Sequence, residues 1–306
     1  MADLTVLILA QDEEKNIVRS VSSVRNIAKR IIVVDSGSTD KTIELAEENG
    51  AKVVKHSPFV NYATQFNWGL NHTNINTKWI LRLDADEQVT PELAQEIEEA
   101  LAEHNQDDVN GFEVRCRIIF MGRWIRHGGT YPLIIPRLFR RGCGRVEMRK
   151  MDEHTLIEGK VLQFKNDLVH YDFKGLHEWI DKHNKYSVRE CQDYYERLES
   201  HENQMQGNLL GNQRQRKRFF KNGVYYNMPL FFRAHLYFFY RYYIQLGFLD
   251  GKEGKMFYFL QAYWYRYLVD AKIYEKEKIS DKFKGEVQLL SNNTSISRYL
   301  FVEVAV

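Results

Sequence analysis

Apolar and polar residues come in blocks over the first hundred positions. "LTVLILAQ" (4–11) is a continuous apolar run of strand length, and in "DEEKNIVRSVSSVRNI" (12–27) Ile17, Val21 and Val24 recur at helical spacing. "KRIIVVDSGS" (29–38) predicts a second buried strand. "STDKTIELAEENG" (38–50) predicts a helix capped by Thr39 or Ser38 and stopped by Gly50. "AKVVKHS" (51–57) reads as strand and "NYATQFNWGLNHT" (61–73) as helix. "KWILRLDADEQV" (78–89) is a fourth strand, and "PELAQEIEEALAEH" (91–104) is a helix with Pro91 in its first turn. Strands separated by helices imply an α/β protein with a mostly parallel central sheet flanked by helices.

Beyond residue 108 the pattern changes. "GFEVRCRIIFMGRWIRHGGTYPLIIPRLFRRGCGRV" (111–146) reads as strands and turns broken at Pro132 and Pro136. Glycines 128 and 129 mark either a turn or a close approach of backbone to a ligand. "NDLVHYDFKGLHEWIDKHNKYSVRECQDYYERLE" (166–199) is a short strand entering a long amphipathic helix, with Trp179, Ile180 and Tyr186 as its packing stripe. Of the 41 Phe, Trp and Tyr residues, 20 fall between Phe219 and Tyr267, which sets the end of the chain apart as a helical, aromatic-rich extension. There Phe232, Leu236, Phe239 and Tyr243 follow one helical stripe and predict packed helices.

In sheets of this kind ligands sit beyond the carboxyl ends of the strands. Polar residues gather there at three separate strands: Gln11, Asp12, Glu13 and Glu14; Asp35, Ser36, Gly37 and Ser38; Asp84, Asp86 and Glu87. Any one loop would be polar in any case, and the convergence of three is what points to a ligand. Neither GxGxxG nor GxxxxGK[ST] is present, which disfavours a dinucleotide fold and a P-loop. Carboxylates at this edge suggest a cation, a polyanion held through a cation, or a wet loop, and a diphosphate here would need a divalent metal to offset them. Oxygen ligands suit Mg²⁺ or Mn²⁺. Asp84 and Asp86, two positions apart, would face one pocket.

"ILAQDEEKNI", "IIVVDSGSTDKTIELA" and "WILRLDADEQV" resemble the opening motifs of family 2 glycosyltransferases, which have the GT-A nucleotide-sugar-binding fold; the third contains the family's DxD. Asp12 stands where the family more often has Asn. The resemblance implies a UDP-sugar donor bordered by Ala10, Asp12, Glu13, Asp35, Gly37, Ser38, Asp84 and Ala85. It puts the metal on Asp86, with His170 as a further ligand or else a core residue. In "RKMDEHTLIEGK" it places the catalytic base on Glu153, with Asp152 as runner-up. Such a carboxylate takes the proton of an attacking hydroxyl, and a single base opposite the leaving group implies inversion. His154, Arg126, His127 and Arg137 are candidate acceptor or diphosphate contacts, each with a purely structural alternative.

The resemblance divides the chain into a catalytic domain (1–205, with a nucleotide-sugar half 1–108 and an acceptor half 109–205) and a C-terminal region (206–306). Between Arg214 and Lys255 nine Lys or Arg face two acidic residues, amid dense aromatics. That mixture suits an anionic inner-leaflet membrane surface or a homo-oligomer contact, and its helical periodicity argues against nucleic acid. Three scattered cysteines and the lack of a signal-peptide pattern predict a cytoplasmic chain, peripherally attached to the membrane at most. The expected acceptor is a lipid-linked or envelope glycan. A protein glycosyltransferase, a nucleotide-sugar-binding scaffold and a nucleotidyltransferase are the rival readings; the last lacks a Gly-rich basic loop after the first strand.

Overall fold

The computed structural model describes residues 2–106, 108–148, 154–199, 223 and 225–292, with residues 197–199 and 280–292 described as backbone only. The described residues fall into two compact units, one within 2–183 and 237–262, the other within 184–236 and 263–292.

The first unit is built on strands β1 (Ala2–Ala10), β2 (Ala28–Asp35), β3 (Lys52–Lys55), β4 (Trp79–Asp84), β5 (Glu87–Val89), β6 (Val109–Phe120), β7 (Arg123–Ile125), β8 (Leu133–Arg140), β9 (Gly144–Val146), β10 (Thr155–Ile157) and β11 (Lys160–His170). Nine of them form one sheet in the order β3-β2-β1-β4-β8-β6-β11-β5, with β7 beside β6; β9 and β10 pair separately. The first four strands are parallel, as the βα pattern predicts. Beyond β4 the sheet is mixed, because β8 runs antiparallel to both β4 and β6.

Side chains of β1 alternate between two cores. Leu4, Val6 and Ile8 pack with Ile17, Val21 and Val24 of α1 (Ile17–Val24) and with Leu93 and Ile97 of α4 (Pro91–Glu103). Leu7 and Leu9 meet Ala63 and Phe66 of α3 (Tyr62–His72) on the other face. All of these but Leu9, Leu93 and Ile97 are fully inaccessible, and burying each such side chain is worth about 1.5–3 kcal/mol. Helix α2 (Thr42–Glu48) has its N-cap at Lys41, two or three residues later than its sequence suggests. Ser38 and Thr39 do not cap it; they are bonded within the loop described below.

The expected single strand 78–89 is broken. β4 ends at Asp84, and after Ala85 and Asp86 the chain restarts as β5, antiparallel to the end of β11. In the strand order β5 lies four places beyond β4, about 19 Å away in a flat sheet. Three residue steps span only about 10 Å. The sheet therefore curls, and the DxD turn joins its interior strand β4 to the edge strand β5.

Helix α5 (Leu176–Glu199) follows β11. In the first unit Trp179 packs edge-on to Phe120, while Ile180 is exposed. The hairpin Tyr237–Ala262 packs Phe238, Tyr242, Phe257 and Tyr258 against Phe120 and Ile125. Gly128 (φ +58°) belongs to this contact, since a Cβ there would lie 2.4 Å from the Tyr258 ring. The glycine makes room for the protein's own tyrosine. Phe232, Leu236, Phe239 and Tyr243 do not form a buried stripe: all four are at least 39% exposed, and within the hairpin the buried side runs through Phe238 and Tyr242.

The second unit has its own core of Cys191, Tyr265, Val269 and Ile273. It also holds a buried ion pair, in which Arg233 donates to Asp270 Oδ1 from Nε at 2.8 Å and from Nη2 at 2.5 Å. Glu190 accepts from Tyr265 Oη (2.6 Å) and Arg266 Nη1 (2.7 Å).

Candidate active site

Three strand ends meet at one edge. The parallel register sets Ala10 opposite Asp35, and Leu9 opposite Asp84. Asp35 is fully buried and organises the loop after β2: Oδ1 accepts from the amides of Gly37 and Ser38, both at 2.9 Å, and Oδ2 accepts from the Ser38 hydroxyl. Gly37 has φ +99°, a conformation in which a side chain would be strained. Asp12, at φ +52°, joins the first loop to this one; its amide donates to Ser38 Oγ (2.9 Å) and its Oδ1 accepts from the Thr39 amide (2.7 Å). The carboxylates of Asp12 and Asp35 thus shape a rim lined by Gly37 and Ser38.

Glu13 anchors the other side. Its carboxylate accepts from Lys174 Nζ (2.6 Å) and Asn16 Nδ2 (2.8 Å), and Asn16 reaches on to Asp172 and Phe173 beyond β11. Burial lifts the Glu13 carboxyl above its usual value, with nearby Asp86 adding to the rise and Lys174 opposing it.

The three carboxylates after Leu83 are separated by cations. Asp84 accepts from Arg137 Nη2 at 2.8 Å and lies 3.7 Å from Arg82 Nε. The same Arg137 nitrogen bonds Glu87, and Glu87 Oε2 accepts from the Asp84 amide at 3.0 Å. Asp86 has other partners, lying 3.4 Å from His170 Nδ1 and 3.6 Å from Lys182 Nζ. Burial works against ionisation of both aspartates, yet Arg137 and Arg82 hold Asp84 below the usual carboxylate range, and His170 and Lys182 hold Asp86 far below it. Burial raises Glu87, and Asp84 raises it further. His170, despite burial, is pushed up to about 9 by Asp86.

Among the described residues no group of three or more His, Cys, Asp or Glu side chains is arranged to bind a metal unaided. One carboxylate and one imidazole within 3.4 Å of each other fit a site that a ligand's phosphate oxygens complete, and that donor set suits Mg²⁺ or Mn²⁺.

The model of the family "Glycosyl transferase family 2" matches residues 5–155. An uncharacterized glycosyltransferase of Rickettsia bellii is 30% identical over 207 residues, which are 62% of this chain and 67% of that protein. The chain belongs to glycosyl transferase family 2. Similarity to the Rhizobium meliloti lipopolysaccharide core biosynthesis glycosyltransferase LpsC extends further, at 27% identity over 90% of this chain and 93% of that one. Among solved structures, the Mycobacterium tuberculosis glucosyl-3-phosphoglycerate synthase in complex with Mg²⁺ and UDP has 20% identity over 38% of this chain and 43% of its own, with a TM-score of 0.31, too slight a likeness to carry an argument.

In this family 2 glycosyltransferase the expected donor residues Ala10, Asp12, Glu13, Asp35, Gly37, Ser38, Asp84 and Ala85 gather at one sheet edge with Asp86 and His170. Arg137 joins them as the buried bridge between Asp84 and Glu87. His127 sits apart, its Nδ1 2.6 Å from Asp250 Oδ1 and its amide donating to Oδ2. Arg126 is exposed with its guanidinium over the Trp124 ring. His154 precedes β10, and its carbonyl accepts from the Glu147 amide. Asp152 and Glu153 lie outside the described residues. Sequence reasoning missed Arg82, Lys174 and Lys182. For Arg82 a signal existed: a charge in the middle of the buried run "WILRLD" needs a buried partner.

Proposed function

We propose that this glycosyltransferase transfers a hexose or N-acetylhexosamine, with inversion, from a UDP-sugar to a hydroxyl of a lipid-linked or envelope polysaccharide acceptor. The observation that carries the donor side is that the Asp86–His170 pair and the Gly37–Ser38 rim belong to the same sheet edge, where β1, β2 and β4 all end. The near full-length similarity to LpsC supports an envelope glycan as acceptor.

Asp86 and His170 would hold the divalent cation, which when bound offsets the charge of the departing nucleoside diphosphate. Asp12 and Asp35 keep the rim in shape for the nucleotide. Lys174 and Lys182, both close to the carboxylates, supply further positive charge at this edge. Arg137 acts as a positioning residue, fixing Asp84 and Glu87 on either side of the DxD turn. Glu153, with Asp152 as the alternative, takes the proton of the acceptor hydroxyl as its oxygen attacks the anomeric carbon and the sugar–phosphate bond breaks.

In this reading residues 1–205 are catalytic and 206–306 serve attachment to the cytoplasmic face of an anionic membrane. No helix among the described residues is long and apolar enough to cross a membrane. The hairpin Tyr237–Ala262 nonetheless exposes Phe239, Tyr243, Ile244, Phe248, Leu249 and Phe259 near the exposed Lys252 and Lys255. Apolar and aromatic side chains bordered by lysines match an anionic lipid surface.

Calorimetry with a panel of UDP-sugars, with and without Mn²⁺, tests the donor side. One UDP-sugar should bind only with metal, and Asp86→Ala should abolish that dependence; equal affinity of the variant in saturating Mn²⁺ would refute it.

A further inference from the structure

Away from the DxD turn, β6 presents a half-open row. Glu113, Arg115 and Arg117 are partly exposed, while the alternating Phe112, Val114 and Cys116 are buried. On the neighbouring β11, Asp167 is only 3% exposed and accepts from Arg115 Nε at 2.9 Å and from Arg117 Nε at 2.7 Å. The Tyr131 hydroxyl donates to the same carboxylate at 3.0 Å.

One buried carboxylate needs one cation. Here two guanidiniums share it, each attached by Nε alone. Among the described residues the terminal Nη groups of both arginines make no hydrogen bond to the protein, and the side chains are 32% and 39% exposed. Asp167 therefore fixes the two planes while leaving their Nη edges open. Their origins are about 7 Å apart along the strand.

A third guanidinium joins them: Arg117 and Arg126 lie 4.7 and 4.5 Å from the centre of the Trp124 ring, and the buried Trp124 Nε1 has no acceptor. Even counting Glu113, the cluster is net positive. Arginine donors held in fixed orientation are suited to bidentate capture of phosphate or carboxylate.

We propose that Arg115, Arg117 and Arg126, oriented by Asp167 and Trp124, form a subsite for an anionic group, phosphate or carboxylate, carried by the acceptor glycan. This rests on the transferase reading above. Arg117 is in register with Val169, one residue before His170; successive strand residues point to opposite faces, so the subsite shares the carboxyl-terminal end of β11 with the proposed metal ligand but opens on the other face of the sheet.

The test is calorimetry of glucose 6-phosphate and of glucose, with the donor pocket saturated by UDP and Mg²⁺. Wild-type protein should bind the phosphate sugar and not glucose. Arg115→Gln and Arg117→Gln, each of which leaves Asp167 one guanidinium, should weaken it about tenfold without changing UDP affinity. The triple variant R115Q/R117Q/D167N, free of any stranded buried charge, should abolish it. Unchanged binding by the variants, or no binding by wild type, overturns the proposal; so does a loss of UDP binding in parallel, which would assign the arginines to the donor. If phosphatidylglycerol vesicles, and not the sugar phosphate, lose affinity on substitution, a lipid headgroup takes the place of the acceptor. Should wild type bind glucose 6-phosphate but no UDP, the donor reading fails while the anion subsite stands.

Discussion

Removing the Arg137 guanidinium should damage the fold before it damages chemistry. Its Nη2 reaches both Asp84 and Glu87, and the side chain is only 10% exposed. Arg137→Met keeps most of the volume but deletes two charge-assisted hydrogen bonds, each worth about 1.5–3 kcal/mol. It also strands two carboxylates where burial already raises Glu87. Arg82, 3.7 Å from Asp84, recovers part of this loss. A net destabilisation of about 3–5 kcal/mol follows, the range for breaking a buried pair from one side. Urea denaturation in EDTA measures it without contribution from metal or nucleotide. Adding Glu87→Gln to Arg137→Met should restore at least about 1 kcal/mol, because it removes one of the stranded charges. A variant that unfolds at the wild-type urea concentration would show that Arg137 is not the bridge described.

Glu153→Gln should keep metal-dependent donor binding and lose transfer by about 10²-fold or more; near-normal turnover in a radiolabel-transfer assay would move the role to Asp152. In the second unit, Asp270→Asn leaves Arg233, 1% exposed, without its counter-charge and should cost about 3–5 kcal/mol, whereas Arg233→Met with Asp270→Leu should fold nearly as well as wild type. Thermal unfolding of the single and double variants separates the two outcomes. Replacing Phe239 and Ile244 by Asp should release the protein from phosphatidylglycerol vesicles in a sedimentation assay without changing UDP affinity; if vesicle binding persists and a dimer dissociates, the hairpin joins two copies of the chain instead.

The parallel half of the fold was open to sequence reasoning because its strands are buried on both faces and its helices carry period-3.6 stripes, as Ile17, Val21 and Val24 do. The meeting of three polar strand ends at one sheet edge was legible for the same reason, since such tips are local patterns. The cations were not. Lys174 meets Glu13 across 161 residues and Arg137 meets Asp84 across 53, and no periodicity encodes such pairs. The stripe Phe232, Leu236, Phe239 and Tyr243 misled because a helical period shows that one face is apolar without saying what covers it. In a segment this rich in aromatics, the neighbouring Phe238 and Tyr242 were equally good candidates for the core. Helix α2 started late for a local reason: the hydroxyl of Ser38, a good cap in isolation, is already bonded to Asp35.

The antiparallel strand β8 has a consequence for how the protein is made. Trp79, Ile80 and Leu81 find their second neighbour only in residues 138–140, and Glu87 finds its partner at His170. A ribosome that has released the first 108 residues has therefore delivered β1–β4 with one raw apolar edge and an unfastened DxD turn. β5 finds its pairing strand only when β11 arrives some sixty residues later. Expressed alone, residues 1–108 should aggregate through the open side of β4, and the stretches before and after residue 108 are better regarded as one cooperative folding unit than as two modules joined end to end.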